Sequence, residues 1–206
     1  MRFVSEFEEL AAIIAGERAC SGRNPEEPFI LAIDGRSGAG KSTLAARLAA
    51  RFDTLVVCGD DFFAGGVTLR DDPAPVLAET CIDWRSLAGV LTGLLQTGKA
   101  RFHPFDWERF DGSKEERLTE IEGKPVIIVE GVYSARPELR KFLDLSILAE
   151  APDALRMARL IQREGEIGPW ERQWHAAEDW YFETRARREA FDLIYLPGAP
   201  GAGTTG

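Results

Sequence analysis

The feature that most constrains this chain is a glycine-rich segment between a predicted strand and a predicted helix. Residues 35–43 read GRSGAGKST and satisfy the pattern G-x-x-x-x-G-K-S/T. The apolar run Phe29–Asp34 before it is typical of a buried strand, and Lys41–Arg51 after it is typical of a helix. Glycines let successive backbone N–H groups of such a loop point at phosphate oxygens, and the helix N-terminus adds positive potential. The segment therefore predicts a phosphate-binding loop.

The residues of this loop have predicted roles toward a nucleoside triphosphate. Lys41 would reach the terminal phosphates, and the Ser42 hydroxyl would bind Mg²⁺. The alternative is a glycine-rich turn that matches by chance, and the strand–loop–helix context disfavours it. The nucleotide-binding residues predicted from the loop are Gly35, Ser37, Gly38, Ala39, Gly40, Lys41, Ser42 and Thr43.

Composition and charge limit the remaining function classes. The 206 residues are 45% hydrophobic, which suits one good core, and a formal net charge of −9 disfavours a nucleic-acid-binding surface. Three cysteines without metal or redox spacing are typical of reduced thiols. No apolar run approaches the roughly 20 residues of a membrane span, so we expect a cytoplasmic protein that has no membrane partner. From its negative charge we expect no nucleic-acid partner either. A small molecule is the expected partner, and homo-oligomer formation stays open.

Short apolar runs alternate with helical segments and predict an α/β fold. We expect the three-layer fold of P-loop NTPases, with a mainly parallel five-stranded sheet flanked by helices. The predicted strands are Phe29–Asp34, Thr54–Cys58, Pro125–Val129, Leu143–Leu148 and Leu193–Leu196. The predicted helices are residues 2–16, Lys41–Arg51, Trp84–Leu95, Arg136–Phe142, Asp153–Arg163 and Glu171–Ala190.

The domain organisation predicted from these elements is simple. We expect one domain over residues 1–197 and a flexible tail over residues 198–206, which are rich in Gly, Ala and Thr. Within the domain, the irregular region 64–124 would bind the acceptor and residues 153–170 would form a lid. The aromatic residues around 102–110 suit either a substrate wall or the core.

Acidic residues follow three of the predicted strands, at Asp34–Gly35, Asp60–Asp61 and Glu130–Gly131. Ligands of open parallel sheets bind at the carboxyl ends of the strands. Carboxylates there can hold Mg²⁺ and orient an attacking hydroxyl group, which are the main requirements of phosphoryl transfer. The structural alternatives are a helix cap or turn at Asp60–Asp61 and a solvated charge at Glu130.

These motifs together resemble the uridine/cytidine kinase family of P-loop kinases. Besides the loop, the resemblance rests on Asp60–Phe63, Pro104–Trp107, Val129–Gly131 and the series Arg156, Arg159 and Arg163-Glu164, and it extends from about residue 29 to residue 197. It implies an enzyme that uses Mg²⁺ and transfers the γ-phosphate of ATP to the 5′-hydroxyl of a pyrimidine ribonucleoside.

Carried over by position, the resemblance implies roles for single residues. Asp60 would be the general base, Asp83 would bind the ribose hydroxyls, and Arg156 and Arg159 would contact phosphates. The implied catalytic residues are Asp60, Lys41 and Arg159, and the implied metal ligands are Ser42, Asp60 and Glu130. The implied substrate-binding residues are Asp60, Phe63, Asp83, Phe105, Trp107 and Phe110.

The departures from the family lie on the acceptor side. Phe63 and Phe105 stand where tyrosine is common, and Phe110 stands near the position of the histidine that reads the pyrimidine, for which His103 could substitute. A pocket that loses the polar side chains that hydrogen-bond its substrate also loses selectivity between substrates. The acceptor therefore stays open between a nucleoside, a nucleoside monophosphate, a vitamin precursor and a specialised metabolite. A monophosphate would need further arginines, for which the candidates are Arg70, Arg85, Arg101 and Arg109.

A binding module without catalysis is a further alternative. It would predict degraded catalytic carboxylates, whereas Asp60 and Glu130 are both present. The sequence therefore favours an enzyme.

Overall fold

The computed structural model describes residues 2–24 and 27–197, and its centre is a parallel sheet. The sheet strands are β1 Arg2–Val4, β2 Phe29–Asp34, β3 Thr54–Cys58, β6 Val126–Glu130, β7 Leu145–Ala149 and β8 Leu193–Tyr195. Their order is β1-β8-β7-β2-β6-β3, and every pair is parallel. A separate antiparallel hairpin pairs β4 Lys99–Phe102 with β5 Thr119–Glu122. The predicted tail, 198–206, lies outside the described residues.

Helices cover both faces of the sheet. They are α1 Phe7–Cys20, α2 Lys41–Arg51, α3 Ala74–Thr80, α4 Trp84–Thr97, α5 Asp153–Glu164 and α6 Pro169–Thr184. Successive strand residues point to opposite faces, so in β2 Leu31 and Ile33 pack with α1 and α2, while Ile30 and Ala32 pack with α3, α4 and α6. The predicted three-layer α/β fold is confirmed.

The amino-terminal segment differs from the prediction. Residues 2–16 were expected to form one helix, but Arg2–Val4 is an edge strand and the helix begins at Phe7. β1 pairs with β8, with Val4 opposite Tyr195, and the buried Val4 side chain joins the core under α1. This strand is the sixth of a sheet predicted to have five.

Two predicted helices are shorter in the structure. Arg136–Phe142 contains only a 3₁₀ turn at Arg140–Phe142, because Pro137 cannot donate a backbone hydrogen bond and the side chain of Asp34 binds the preceding backbone. The helix predicted at Glu171–Ala190 ends at Thr184 and is followed by a 3₁₀ turn at Arg188–Ala190.

The region between residues 64 and 124 is more regular than expected. It contains α3, α4 and the β4–β5 hairpin. Within the described residues, no helix has both the length and the apolar character needed to cross a membrane.

Candidate active site

The glycine-rich loop joins β2 to α2 in a conformation that requires its glycines. Gly38 and Gly40 have φ angles of +78° and +96°, in the left-handed region that side chains disfavour. A Cβ atom on Gly35 would lie 2.3 Å from the carbonyl oxygen of Ala149, and one on Gly38 would lie 2.7 Å from that of Arg156. The end of β7 and helix α5 therefore pack directly on the loop.

The predicted phosphate and metal ligands meet at the start of α2. The Lys41 ammonium donates to the Arg36 carbonyl at 3.3 Å, and the Ser42 hydroxyl donates to the Glu130 carboxylate at 3.3 Å. Glu130 is buried at the end of β6, and burial, with the charge of Asp60 added, raises the pKa of its carboxyl group.

This donor set fits Mg²⁺. Hydroxyl and carboxylate oxygens are the hard ligands that Mg²⁺ prefers, and the ion usually keeps water and substrate phosphate oxygens as further ligands. Among the described residues, no three His, Cys, Asp or Glu side chains cluster as a complete metal site. Ser42 and Glu130 would therefore hold the ion together with the nucleotide.

Asp34, the first of the strand-end acids, has a structural position. Its carboxylate is fully buried and accepts hydrogen bonds of 2.8–3.0 Å from the N–H groups of Gly35, Tyr133 and Ala135 and from the Tyr181 hydroxyl. Burial nevertheless raises the pKa of this group. Asp34 connects β2 to the segment after β6 and to α6, and the ligand role suggested by its place in the sequence is not available to it.

The arginines of α5 lie along the loop but have different surroundings. Arg156 Nε donates to the Ser37 carbonyl at 2.9 Å, and Arg159 Nη1 donates to the Gly38 carbonyl at 3.0 Å. These two guanidinium groups add positive charge beside the phosphate-binding backbone. Arg163 lines the neighbouring cleft instead and pairs with Glu164.

The main cleft has a volume of about 880 Å³, and Ser37 of the loop is among its lining residues. Adjacent ring centroids along one side of it lie 5.1–6.1 Å apart. Phe105 is buried against this side and does not itself line the cleft. We call the five lining phenylalanine and tryptophan side chains the aromatic wall: Phe63, Trp107, Phe110, Trp170 and Trp174.

The predicted base lines the same cleft. Asp60 and Asp61 lie in the 3₁₀ turn that follows β3, and both face the cleft. Trp107 Nε1 donates to the Asp60 carbonyl at 3.3 Å and the Phe105 N–H donates to the Asp61 carbonyl at 2.8 Å, so the aromatic segment is attached to the acidic turn. Neither aspartate side chain has a hydrogen bond or ion pair with another described residue.

A smaller cleft of about 310 Å³ adjoins the loop at Arg36 and Ala39. Its lining also includes the carboxyl end of β7 and the residues after it, Leu148 to Asp153, together with Leu196.

Several known proteins that are similar to this chain are named kinases. No protein-family model matches the chain. The uridine kinase of Ureaplasma parvum serovar 3 is 23% identical over 149 residues, which is 68% of this chain and 71% of that protein. A possible uridine kinase from Bacillus stearothermophilus superposes with a TM-score of 0.65 at 23% identity, covering 91% of this chain and 99% of the other. D-glycerate 3-kinase from Cryptococcus neoformans var. grubii superposes with a TM-score of 0.62 at 13% identity, covering 92% and 94%.

The chain is similar in sequence and fold to the uridine kinase-like P-loop kinases. Its loop, strand-end acids and relatives together support a phosphotransferase that acts on a small molecule.

This uridine kinase-like protein does not bring every predicted acceptor residue to the cleft. Asp83 caps α4, where its carboxylate accepts from the N–H and hydroxyl of Ser86 at 3.1 and 2.6 Å, and it does not line the cleft. His103 also lies outside the lining, with Nδ1 hydrogen-bonded to the Glu115 carbonyl at 2.9 Å. The histidine that does line the cleft is His175.

Helix α6 supplies functional candidates that the sequence interpretation missed. The buried Glu178 carboxylate accepts hydrogen bonds from both the N–H and the hydroxyl of Ser37 in the loop. Trp170 and Trp174 precede it at spacings that place all three on one helix face. The signal available in the sequence was Glu178, an acidic residue at helical spacing from Trp170 and Trp174.

Proposed function

We propose that this protein is an Mg²⁺- and ATP-dependent kinase that phosphorylates a hydroxyl group of a small molecule bound in the main cleft. The observation that carries the proposal is that the glycine-rich loop, Asp60 and the aromatic wall all border one cleft. Phosphoryl transfer needs mainly positioning and charge stabilisation, and these residues can supply both.

The donor would bind through the loop. Lys41 and Arg159 would stabilise charge on the terminal phosphates. Ser42, Glu130 and Asp60 would hold Mg²⁺, which when bound neutralises charge on the β- and γ-oxygens. The smaller cleft, next to Ala39, suits the nucleoside part of ATP, since it adjoins the loop and offers apolar surface at Leu148 and Leu196.

Asp60 is suited to act on the acceptor. Its carboxylate has no partner among the described residues and faces the cleft, so it can accept the proton of the acceptor hydroxyl. As that oxygen bonds to the γ-phosphorus, the bond to the bridging oxygen breaks and ADP leaves.

The 5′-hydroxyl of a nucleoside is the acceptor that the names of the relatives suggest, and the aromatic wall could stack a base. One observation favours a different alcohol: Asp83, expected to bind the ribose, caps a helix outside the cleft. On the other side, His175 lines the cleft and could read the edge of a base.

A nucleoside monophosphate fits the cleft least well. Five carboxylate residues and a single arginine, Arg163, line it. An anionic phosphate would face repulsion there. None of the four arginines considered for this purpose lines the cleft, namely Arg70, Arg85, Arg101 and Arg109.

The proposal predicts that Asp60→Asn loses acceptor phosphorylation. We expect turnover to fall about 10²–10⁴-fold, the usual contribution of a general base. Products from nucleosides, nucleoside monophosphates and small alcohols would be identified by mass spectrometry after incubation with Mg²⁺ and ATP. Asp71→Asn, an exposed aspartate outside the cleft, is the matched control.

Two outcomes would overturn parts of this account, namely the role of Asp60 and the preference for an alcohol other than a pyrimidine nucleoside. Parental turnover by Asp60→Asn would remove Asp60 as the base. Efficient phosphorylation of uridine and cytidine alone would show that the acceptor is the pyrimidine nucleoside after all.

A further inference from the structure

Most neighbouring rings of the aromatic wall are steeply inclined to one another, so the wall is not a flat slot. The ring planes of Phe63 and Trp174 meet at 82°, those of Phe110 and Trp170 at 76°, and those of Trp170 and Trp174 at 73°. Trp107 and Phe110 are nearly parallel, but their centroids are 6.0 Å apart, less than the roughly 7 Å needed to hold another ring between them. The wall is therefore poorly suited to sandwiching a planar base.

The charged groups that line the cleft with this wall are mainly acidic. The lining carboxylates are those of Asp60, Asp61, Glu164, Glu171 and Glu178, against the two basic residues Arg163 and His175. Three of the carboxylates have partners within the chain, namely Glu164 with Arg163, Glu171 with the Gly168 N–H at 2.8 Å, and Glu178 with Ser37. Asp60 is already proposed as the base and as a metal ligand. One of the five lining carboxylates is therefore left without a partner or a role.

That carboxylate belongs to Asp61. It is half-buried, and no hydrogen bond or ion pair to its side chain occurs within residues 2–24 and 27–197. Removing a carboxylate from water costs free energy unless a partner compensates. The bond from the Phe105 N–H to the Asp61 carbonyl holds the backbone of this residue next to the aromatic segment, and Asp61 lines the same cleft as the wall, so one ligand in the cleft can contact both.

We infer that the acceptor is an alcohol that carries a positively charged nitrogen, held between the aromatic wall and the Asp61 carboxylate. The inference rests on the proposed function, because it takes the main cleft as the acceptor site. Ring faces of tryptophan and phenylalanine attract ammonium and quaternary ammonium groups, and aromatic boxes are a recurrent means of binding them. The cleft of about 880 Å³ leaves room for a substituent larger than methyl groups on the nitrogen.

Matched pairs of probes separate charge from shape. Choline is compared with 3,3-dimethylbutan-1-ol, in which carbon replaces the charged nitrogen. Benzyl(2-hydroxyethyl)dimethylammonium is compared with 3,3-dimethyl-4-phenylbutan-1-ol in the same way. Binding to the full chain is measured by titration calorimetry at low salt, and phosphorylation by Mg²⁺ and ATP is followed separately by mass spectrometry.

We expect at least one cation to bind about tenfold more tightly than its uncharged partner, from ring and carboxylate attraction together. Asp61→Asn should abolish most of that preference, and Trp107→Leu should reduce it several-fold. Asp71→Asn should leave it unchanged. Added salt should weaken it, because salt screens the attraction between exposed charges.

The outcomes distinguish this inference from the kinase proposal. Equal binding within both pairs, no binding of either cation, or a preference that survives Asp61→Asn overturns the inference. A preference that depends on Asp61, with no phosphorylated product from any alcohol, would retain the cation site and overturn the kinase proposal. Phosphorylation of uncharged alcohols without any preference for cations would retain the kinase proposal and overturn the cation site.

Discussion

At the scale of single residues, Asp61 carries a carboxyl group whose charge the fold does not stabilise. Burial, with the charges of Asp60, Glu115 and Glu130 added, raises its pKa from 3.8 to about 6. The folded chain therefore binds this proton more tightly than the unfolded chain does. The stability contributed by protonated Asp61 is full below about pH 4 and is lost as the pH rises through about 6.

Asp61→Asn should accordingly stabilise the protein without metal or nucleotide near neutral pH. We expect the free energy of unfolding to rise by about 1 kcal/mol at about pH 7, less than the full shift implies because the side chain is half exposed to screening water. At about pH 4 the gain should be absent. Urea denaturation at both pH values measures this, with Asp71→Asn as the control. A gain of equal size at both pH values would point to packing and not to charge.

At the scale of elements, helix α6 connects the main cleft to the glycine-rich loop. Trp170 and Trp174 belong to the aromatic wall, Glu178 accepts both donors of Ser37, and the Tyr181 hydroxyl donates to Asp34 at the end of β2. One helix therefore contacts the acceptor side, the loop and the sheet. Substitutions at Glu178, which contacts the loop, should therefore affect nucleotide binding.

Glu178→Gln tests this connection. The amide has only one acceptor oxygen for the two donors of Ser37, so one buried contact is lost or rearranged. We expect a loss of about 1–2 kcal/mol in the free energy of unfolding and a several-fold higher KM for ATP. Urea denaturation and steady-state kinetics measure the two effects. Glu183→Gln, an exposed position on α6, is the control, and unchanged values in Glu178→Gln would show that α6 does not position the loop.

Local sequence signals predicted the elements that lie around the loop. The bounds of β2 and α2 match the prediction, because the apolar strand and the glycine motif specify them over a few residues. β1 was missed because its pairing partner, β8, lies almost at the other end of the chain. The bonds of Asp34 could not be predicted either, since they depend on the segment after β6 folding back over β2.

In the candidate site, too, some features follow from short sequence motifs and others depend on how distant elements pack. The loop residues and the cleft position of Asp60 follow from short motifs. The contributions of α6 arise only when that helix packs over the loop, and residue spacing alone does not show this. For Asp83, the sequence Asp-Trp-Arg-Ser already contained a local signal for a helix cap, and the structure has that cap.

At the scale of the whole molecule, two clefts adjoin one loop. Ser37 lines the larger cleft, and Arg36 and Ala39 line the smaller one. A nucleotide in the smaller cleft would extend its phosphates along the loop toward an acceptor in the larger one. Since both reactants are then held at a fixed separation, the arrangement favours direct transfer between them.

The most direct test of phosphoryl transfer follows the γ-phosphoryl group itself. With γ-labelled ATP, Mg²⁺ and an acceptor found by the screen, we predict one labelled organic product for each ADP formed. Lys41→Ala should lower this rate at least about 100-fold, because it removes charge stabilisation at the phosphates, whereas the surface variant Lys124→Ala should keep the parental rate. Label released only as inorganic phosphate, or full transfer by Lys41→Ala, would contradict the account.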